Sequence, residues 1–379
     1  MITASSSADL FHIESHEALL QQPADATVVG PEPPRHLDAI VVPTIRPHSL
    51  GSAIALAGDI GCALVVLCTT PDQAARAGQV CGPPADDVLV TYVSPSAAEN
   101  LPLLQTSVHP EIDIATSCHV DIARKRNVGL MLARLCGWRT IMFLDDDIRA
   151  LTASVVSNAA ALTARFQAMG FKINNYPDNS VVCHAYRLAG GTQDVFPGGS
   201  ALIIDVDRSD TMFPPIYNED WLFLFDAAQR GSIALAGVLS QLEYRPFARP
   251  KRAASEEFGD VIAEGLYRLL HEGGDVIDAT HAYWHSALDR RFQLIDYIAE
   301  ELPLRQKNAP VTQCALISLA AARERLAEIT EQACLSFVRA WRADVDVWRK
   351  QLTDLPVLAE LAGAAKYLDL PTLDRGMNR

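Results

Sequence analysis

RTIMFLDDDI, residues 139–148, runs an apolar stretch without interruption into three adjacent acids. The stretch from Arg139 to Leu144 has the length and composition of a buried strand. In extended backbone successive side chains alternate, so the pattern predicts Asp145 and Asp147 on one side and Asp146 on the other. Two carboxylates converging at the carboxyl end of a strand suit a hard divalent cation, Mg²⁺ or Mn²⁺. Such an ion is commonly held by one or two carboxylates together with substrate phosphates. The alternative is a solvated acidic turn, although three unshielded acids repel one another.

Upstream, DIARKRNVGLMLARLCG (121–137) reads as a helix capped by Asp121 and ended by Gly137. Its adjacent Arg124, Lys125 and Arg126 cannot all face one way, so one or two are expected at a site and the rest in solvent. Guanidinium groups suit diphosphate oxygens because they donate paired hydrogen bonds. DAIVVP (38–43), GCALVVLC (61–68) and DVLVTYV (87–93) read as further buried strands. A helix is expected over 49–57, and another starts at Thr70-Pro71. Strands alternating with helices imply an α/β fold with a mostly parallel sheet, which binds ligands at the carboxyl ends of its strands.

Downstream, SVVCHAY (180–186) and SALIIDV (200–206) read as strands flanking a glycine-rich loop, GGTQDVFPGG (190–199). NEDWLFLFDAAQRG (218–231) reads as a helix capped by Asn218 and stopped by Gly231, and SIALAG (232–237) as a short strand. An amphipathic helix is expected over 255–270. Between Pro310 and Pro356 there is no Gly or Pro. A single helix there would span roughly 65 Å at 1.5 Å per residue, so a bend or two helices are expected. The organisation that follows is a mobile, proline-rich N-terminal extension (1–37), a catalytic domain (38–252) and a helical C-terminal region (253–379). That region is expected to pack on the first domain, enclose a ligand, or form a homo-oligomer.

The chain has 379 residues, a formal net charge of -14, 49% hydrophobic and 21% charged residues. Those proportions exclude disorder over most of the chain, and the acidic balance argues against a nucleic-acid coat protein. No apolar run approaches the ~18 residues that span a bilayer. The start of the chain lacks the basic-then-apolar order of a signal peptide. None of the eight cysteines falls in a CxxC pair, and a cytoplasmic protein with buried free thiols is the expectation.

Other motifs carry weaker signals. VVPTIRP (41–47) places Pro43, Thr44 and Arg46 at a strand's carboxyl end, where an ordinary strand-to-helix turn is the alternative. In NEDW (218–221), Glu219 and Asp220 stand where a helix dipole favours acids irrespective of chemistry. YRPFARPKR (244–252) offers Arg245 and Arg249 as a basic loop over a diphosphate or an anionic acceptor, or as a solvated connector. HAYWHS (281–286) reads as a packed junction, and His119 and His184 as structural.

Taken in order, VVPTIRP, ARKRNVG, FLDDDI, FPGGSALIID and NEDW resemble the GT-A glycosyltransferases, over about residues 38–250. The similarity extends to family-2-like enzymes and to the glucosyl- and mannosyl-phosphoglycerate synthases. The resemblance implies a Rossmann-like donor domain that moves a sugar from a nucleoside diphosphate sugar to the hydroxyl of a small-molecule or glycan acceptor. It implies Asp145 and Asp147 as metal ligands in a DxD motif. Pro43, Thr44, Arg46, Arg126, Asp146, Arg245 and Arg249 would lie on the donor side, and Gly198, Gly199 and Ser200 beside the acceptor. Asp220, or Glu219, would be the catalytic group: the general base in an inverting enzyme, an acceptor-orienting group in a retaining one. The chain departs from the synthases at 237–252, which holds no His where they carry a metal-binding one. A sugar-nucleotide mutase of the plant self-glycosylating type and a catalytically silent binding protein on the same fold are the alternatives.

Overall fold

The computed structural model describes residues 12–22, 35–83, 85–112, 118–174, 180–194, 196–306, 309–358 and 360–372. The chain runs β1 (Ala39–Thr44), α1 (Gly51–Ile60), β2 (Ala63–Cys68), α2 (Pro71–Cys81), β3 (Val88–Tyr92), α3 (Pro95–Glu99), α4 (Cys118–Leu135), β4 (Thr140–Leu144), β5 (Ile148–Arg149) and α5 (Ala153–Leu162). It continues through β6 (Ala168–Ile173), α6 (Val181–Leu188), β7 (Ala201–Asp205), α7 (Glu219–Gln229), β8 (Ile233–Gln241) and α8 (Pro250–His271). Four helices follow: α9 (His281–Arg305), α10 (Pro310–Leu326), α11 (Glu331–Asp354) and α12 (Leu361–Tyr367).

The sheet order is β3-β2-β1-β4-β7-β6-β8-β5. From β3 to β4 the pairs are parallel; β7 runs against both β4 and β6, β8 is parallel to β6, and β5 is antiparallel to β8. The expectation of a mostly parallel sheet therefore holds, with β7 and β5 reversed. Both faces are covered. In β1, Ala39 and Val41 join one apolar cluster while Ile40 and Val42 join the other. In β4, Ile141 and Phe143 face the first and Met142 and Leu144 the second. This two-sided burial explains why the strands read as unbroken apolar runs. Helices α1, α2 and α5 cover one face; α4, α7, α8 and the C-terminal helices belong to the other cluster.

The long Gly- and Pro-free stretch forms two helices, α10 and α11, as its length requires. α11 buries Phe337, Trp341, Val345 and Trp348 within this chain. Its fully buried Asp344 accepts hydrogen bonds from the backbone N–H groups of Gln105 (2.7 Å) and Thr106 (2.8 Å) and from the Thr106 hydroxyl (2.7 Å). The helical region is thereby fastened to the loop after β3. Thr70 caps α2 in a capping box with Gln73.

Several expectations are corrected. SVVCHAY is helix α6, not a strand. Continuous burial is ambiguous between the two, and here Ser180 caps the first turn through the Cys183 N–H while Glu256 accepts the Val181 N–H at 2.8 Å. Asp121 does not cap its helix, because α4 already starts at Cys118. Asn218 stands at the cap position of α7 in a left-handed conformation (φ 60°), but its side chain donates to Asp260 instead. Nor does a mobile leader describe residues 12–22. His12 and His16 are buried, and Gln21 forms a parallel bridge to Ala234 at β8. Residues 35–37 are also placed, with Leu37 buried and Arg35 paired with Asp205, while 1–11 and 23–34 lie outside the described residues. Among the described residues no helix is long and apolar enough to cross a membrane. All eight cysteines are free.

Candidate active site

Residues from seven segments meet at the carboxyl edge of β1 and β4. They are Pro43, Thr44 and Arg46 at and after the end of β1; Cys118, His119, Asp121, Ile122, Lys125 and Arg126 on α4; Asp145 and Asp146 after β4; Phe171 and Ile173 on β6; Phe196, Gly198 and Ser200 before β7; Tyr217 to Trp221 around the start of α7; and Arg249, Arg252 and Glu256 at the start of α8. They line a cleft of about 550 Å³, within the range of small-ligand sites. Of the residues expected from sequence, Asp147 and Gly199 stand directly behind this lining. Arg245 is exposed and does not line it.

Two arginines organise the acids. Arg46 donates from Nε to Asp146 Oδ1 (2.8 Å) and from Nη2 to Asp146 Oδ1 and Asp147 Oδ2, the latter at 2.9 Å. The Thr44 hydroxyl donates to Asp146 Oδ2. Burial opposes the charge on Arg46, but the hydrogen bonds to both aspartates outweigh it and hold the guanidinium above its ordinary pKa. Arg126, buried on α4, donates to Asp145 Oδ1 (3.2 Å) and to Glu219 Oε1. Burial pushes Glu219 up to about 8, with Arg126 pulling down and Asp220 pushing further up. Three acids, Asp145, Glu219 and Asp220, thus gather around one buried cation.

The expected alternation of the triplet does not hold. Strand β4 stops at Leu144, and a turn follows in which the Ile148 N–H reaches Asp145 O at 3.3 Å. Asp145 goes to Arg126 on the α4 side, while Asp146 and Asp147 both go to Arg46. Alternation is a property of extended backbone and ends with it.

Asp220 is held by backbone. Its Oδ2 accepts the Gly199 N–H at 2.6 Å and its Oδ1 the Trp221 N–H at 2.9 Å. The glycines before β7 are there for lack of a side chain. A Cβ at Gly198 would lie 2.5 Å from Asp220 Oδ2, and one at Gly199 2.3 Å from Arg126 Cζ.

Several lining residues fall outside the expected set. Lys125, 1% exposed, donates to Thr44 O (3.0 Å) and Thr69 Oγ1 (2.8 Å) and pairs with Asp121 (2.7 Å), tying together the ends of β1 and β2. Arg252 pairs with Glu256, stacks on Tyr244 and donates to its hydroxyl at 3.1 Å. His184 meets the same hydroxyl at 2.9 Å, a packed role as expected. His119, expected to be structural, lies on the cleft wall edge-on to Tyr217. Burial, then Arg252, lowers its pKa to about 4. A signal for the α4 wall was present in the sequence: Cys118, Asp121, Ile122 and Lys125 follow helical spacing and share one face.

The donors at the triplet suit a hard cation. Asp147 Oδ1 is buried with no hydrogen-bond partner among the described residues, and Asp145 opens onto the cleft. Asp146 has both oxygens engaged by Thr44 and Arg46. Within the triplet, Asp147 Oδ1 is thus the buried oxygen left over for a cation.

No family model matches the chain, and no curated protein matches it. Among solved structures the chain is similar to the mannosyltransferase PcManGT from Pyrobaculum calidifontis in complex with GDP-Man and Mn²⁺. The identity is 14%, over 90% of this chain and 91% of that one, with a TM-score of 0.38. That likeness is too loose to transfer fold detail or function.

Proposed function

We propose that the cleft is the donor site of a metal-dependent GT-A glycosyltransferase, which transfers a sugar from a nucleoside diphosphate sugar to an acceptor hydroxyl. The observation that carries this reading is the convergence, at one sheet edge, of an acidic triplet, buried Lys125 and Arg126, and a backbone-held carboxylate at Asp220. A diphosphate needs fixed positive charge beside a cation site, and an acceptor hydroxyl needs a base.

Asp145 and Asp147 would hold Mg²⁺ or Mn²⁺, with donor phosphates and water completing the shell. Bound there, the ion neutralises charge on the leaving diphosphate. The chain's own residues do the rest. Arg126 and Lys125 supply positive charge that is already desolvated and needs no reorganisation. Arg46 fixes Asp146 and Asp147, and Arg249 stands exposed at the mouth to meet an anionic group. Asp220 accepts the acceptor's proton, its orientation set by the Gly199 N–H.

Thermal shift with UDP, GDP, ADP and dTDP, each with and without Mn²⁺, tests the reading. A ligand that prefers the folded state raises the midpoint by mass action. A metal-dependent rise with one base is expected, and it is lost in Asp145→Asn. No rise with any of them overturns the donor-site reading.

A further inference from the structure

Away from the cleft lining, His12, Cys183 and Glu264 meet where the N-terminal segment crosses α6 and α8. One ligating atom from each lies within 4.8 Å of the others. Around a tetrahedral zinc, ligand atoms stand about 3.4–3.7 Å apart, given bonds of about 2.0–2.3 Å. His12 and Cys183 are buried. The His12 Nε2 is hydrogen-bonded to the Gln193 side-chain oxygen. As an amide oxygen only accepts, Nε2 carries the hydrogen and Nδ1 keeps its lone pair. Metal-bound histidines are oriented by this kind of bond.

A second observation points the same way. His16, four residues after His12 in HIESH (12–16), has a fully buried side chain whose Nε2 lacks a hydrogen-bond partner among the described residues. That atom faces Glu264 Oε2 at 3.7 Å, and its Nδ1 is held by His271 Nε2 at 2.9 Å. The nearby Arg291 is committed to Glu257 and Asp260.

We propose that His12, Cys183 and Glu264 form a zinc site, its fourth position taken by water, that clips residues 12–22 to α6 and α8, with His16 packed beside it. The thiolate and carboxylate balance the charge of Zn²⁺, and the sulfur and imidazole donors favour it over Mg²⁺ or Ca²⁺. The clip reaches the cleft through packing. His16 stands edge-on to Trp221 (4.9 Å) and Phe196 (6.1 Å), both of which line it.

The test is titration of the metal-stripped full chain with Co²⁺, followed by Zn²⁺. The expected result is a sulfur-to-cobalt charge-transfer band that saturates at one thiolate-bound ion per chain and that Zn²⁺ bleaches. Cys183→Ser abolishes the band. Gln193→Leu keeps it and weakens binding about 10–100-fold, because Gln193 positions His12 without touching the ion. Absence of the band in the folded wild-type chain overturns the site, and so does a band that survives Cys183→Ser. Wild type alone decides the first outcome, whether or not the serine variant folds. The acidic triplet contains no sulfur, so this result is independent of the donor-site test.

Discussion

Arg291 and Arg46 each bridge two acids, and the two places differ in water. Arg291 binds Glu257 through both oxygens (2.7 and 2.8 Å) and Asp260 at 2.7 Å, with only 6% of its side chain exposed. Arg46 bridges Asp146 and Asp147 with 42% exposed. A buried cluster of this kind is locked, because removing one member strands uncompensated charge in a medium that cannot solvate it. At Arg46 only the guanidinium is open to water, so another cation can take its place beside the two buried aspartates. The same chemistry therefore serves as a rivet in the helical body and as an exchangeable contact at the cleft.

Arg291→Met should break the rivet, costing on the order of 3–5 kcal/mol in urea unfolding. Arg46→Met should cost less than Arg291→Met, because the side chain it removes is itself 42% exposed. Equal losses would erase the distinction. Asp220→Asn should lower turnover about a hundred-fold or more, the scale of a lost general base, with the urea midpoint and donor binding nearly unchanged. If only acceptor binding weakens, Asp220 orients rather than abstracts.

Gly199→Ala pushes a methyl into the Arg126 guanidinium and should cost about 1–3 kcal/mol. Gly58→Ala, in α1 with nothing within 4 Å of the added carbon, should instead gain about 0.5–1 kcal/mol. A further effect is in pH. Glu219 has its pKa raised on folding, so between its ordinary value of 4.5 and about 8 the folded chain holds a proton that the unfolded chain has lost. Stability should fall as pH rises through that window. Glu219→Gln should flatten the slope of Tm against pH between 5 and 8; an unchanged slope would show that Glu219 is ionised throughout.

The sheet was readable because β1, β2 and β4 are buried on both faces and show as uninterrupted apolar runs. α6 was misread for the same reason, since Val181 to Tyr186 are buried all round and no period distinguishes helix from strand. The acidic triplet announced the cleft edge. Its internal geometry was not legible, because it depends on where β4 stops and on two arginines, one of them some hundred residues distant. Lys125 and Arg252 were visible as charges but not as partners, since pairing is set by the contacts of distant elements. The N-terminal segment was read from its prolines, although His12 and His16, which anchor it, lie before them.

The reversed strand β7, with the long crossovers around it, also governs when the cleft comes into being. Thr44 meets Asp146 across 102 residues, and Arg126 meets Glu219 across 93. Such contacts repay their loop-closure cost only late in folding. During synthesis, β1 to β4 emerge first and can pair in parallel, but Glu219, Asp220 and Arg252 have yet to be made. Until α8 is complete, Arg126 and the acidic triplet belong to an unfinished sheet edge, so a growing chain has no working cleft. Metal or nucleotide would then find a binding site only on a finished molecule.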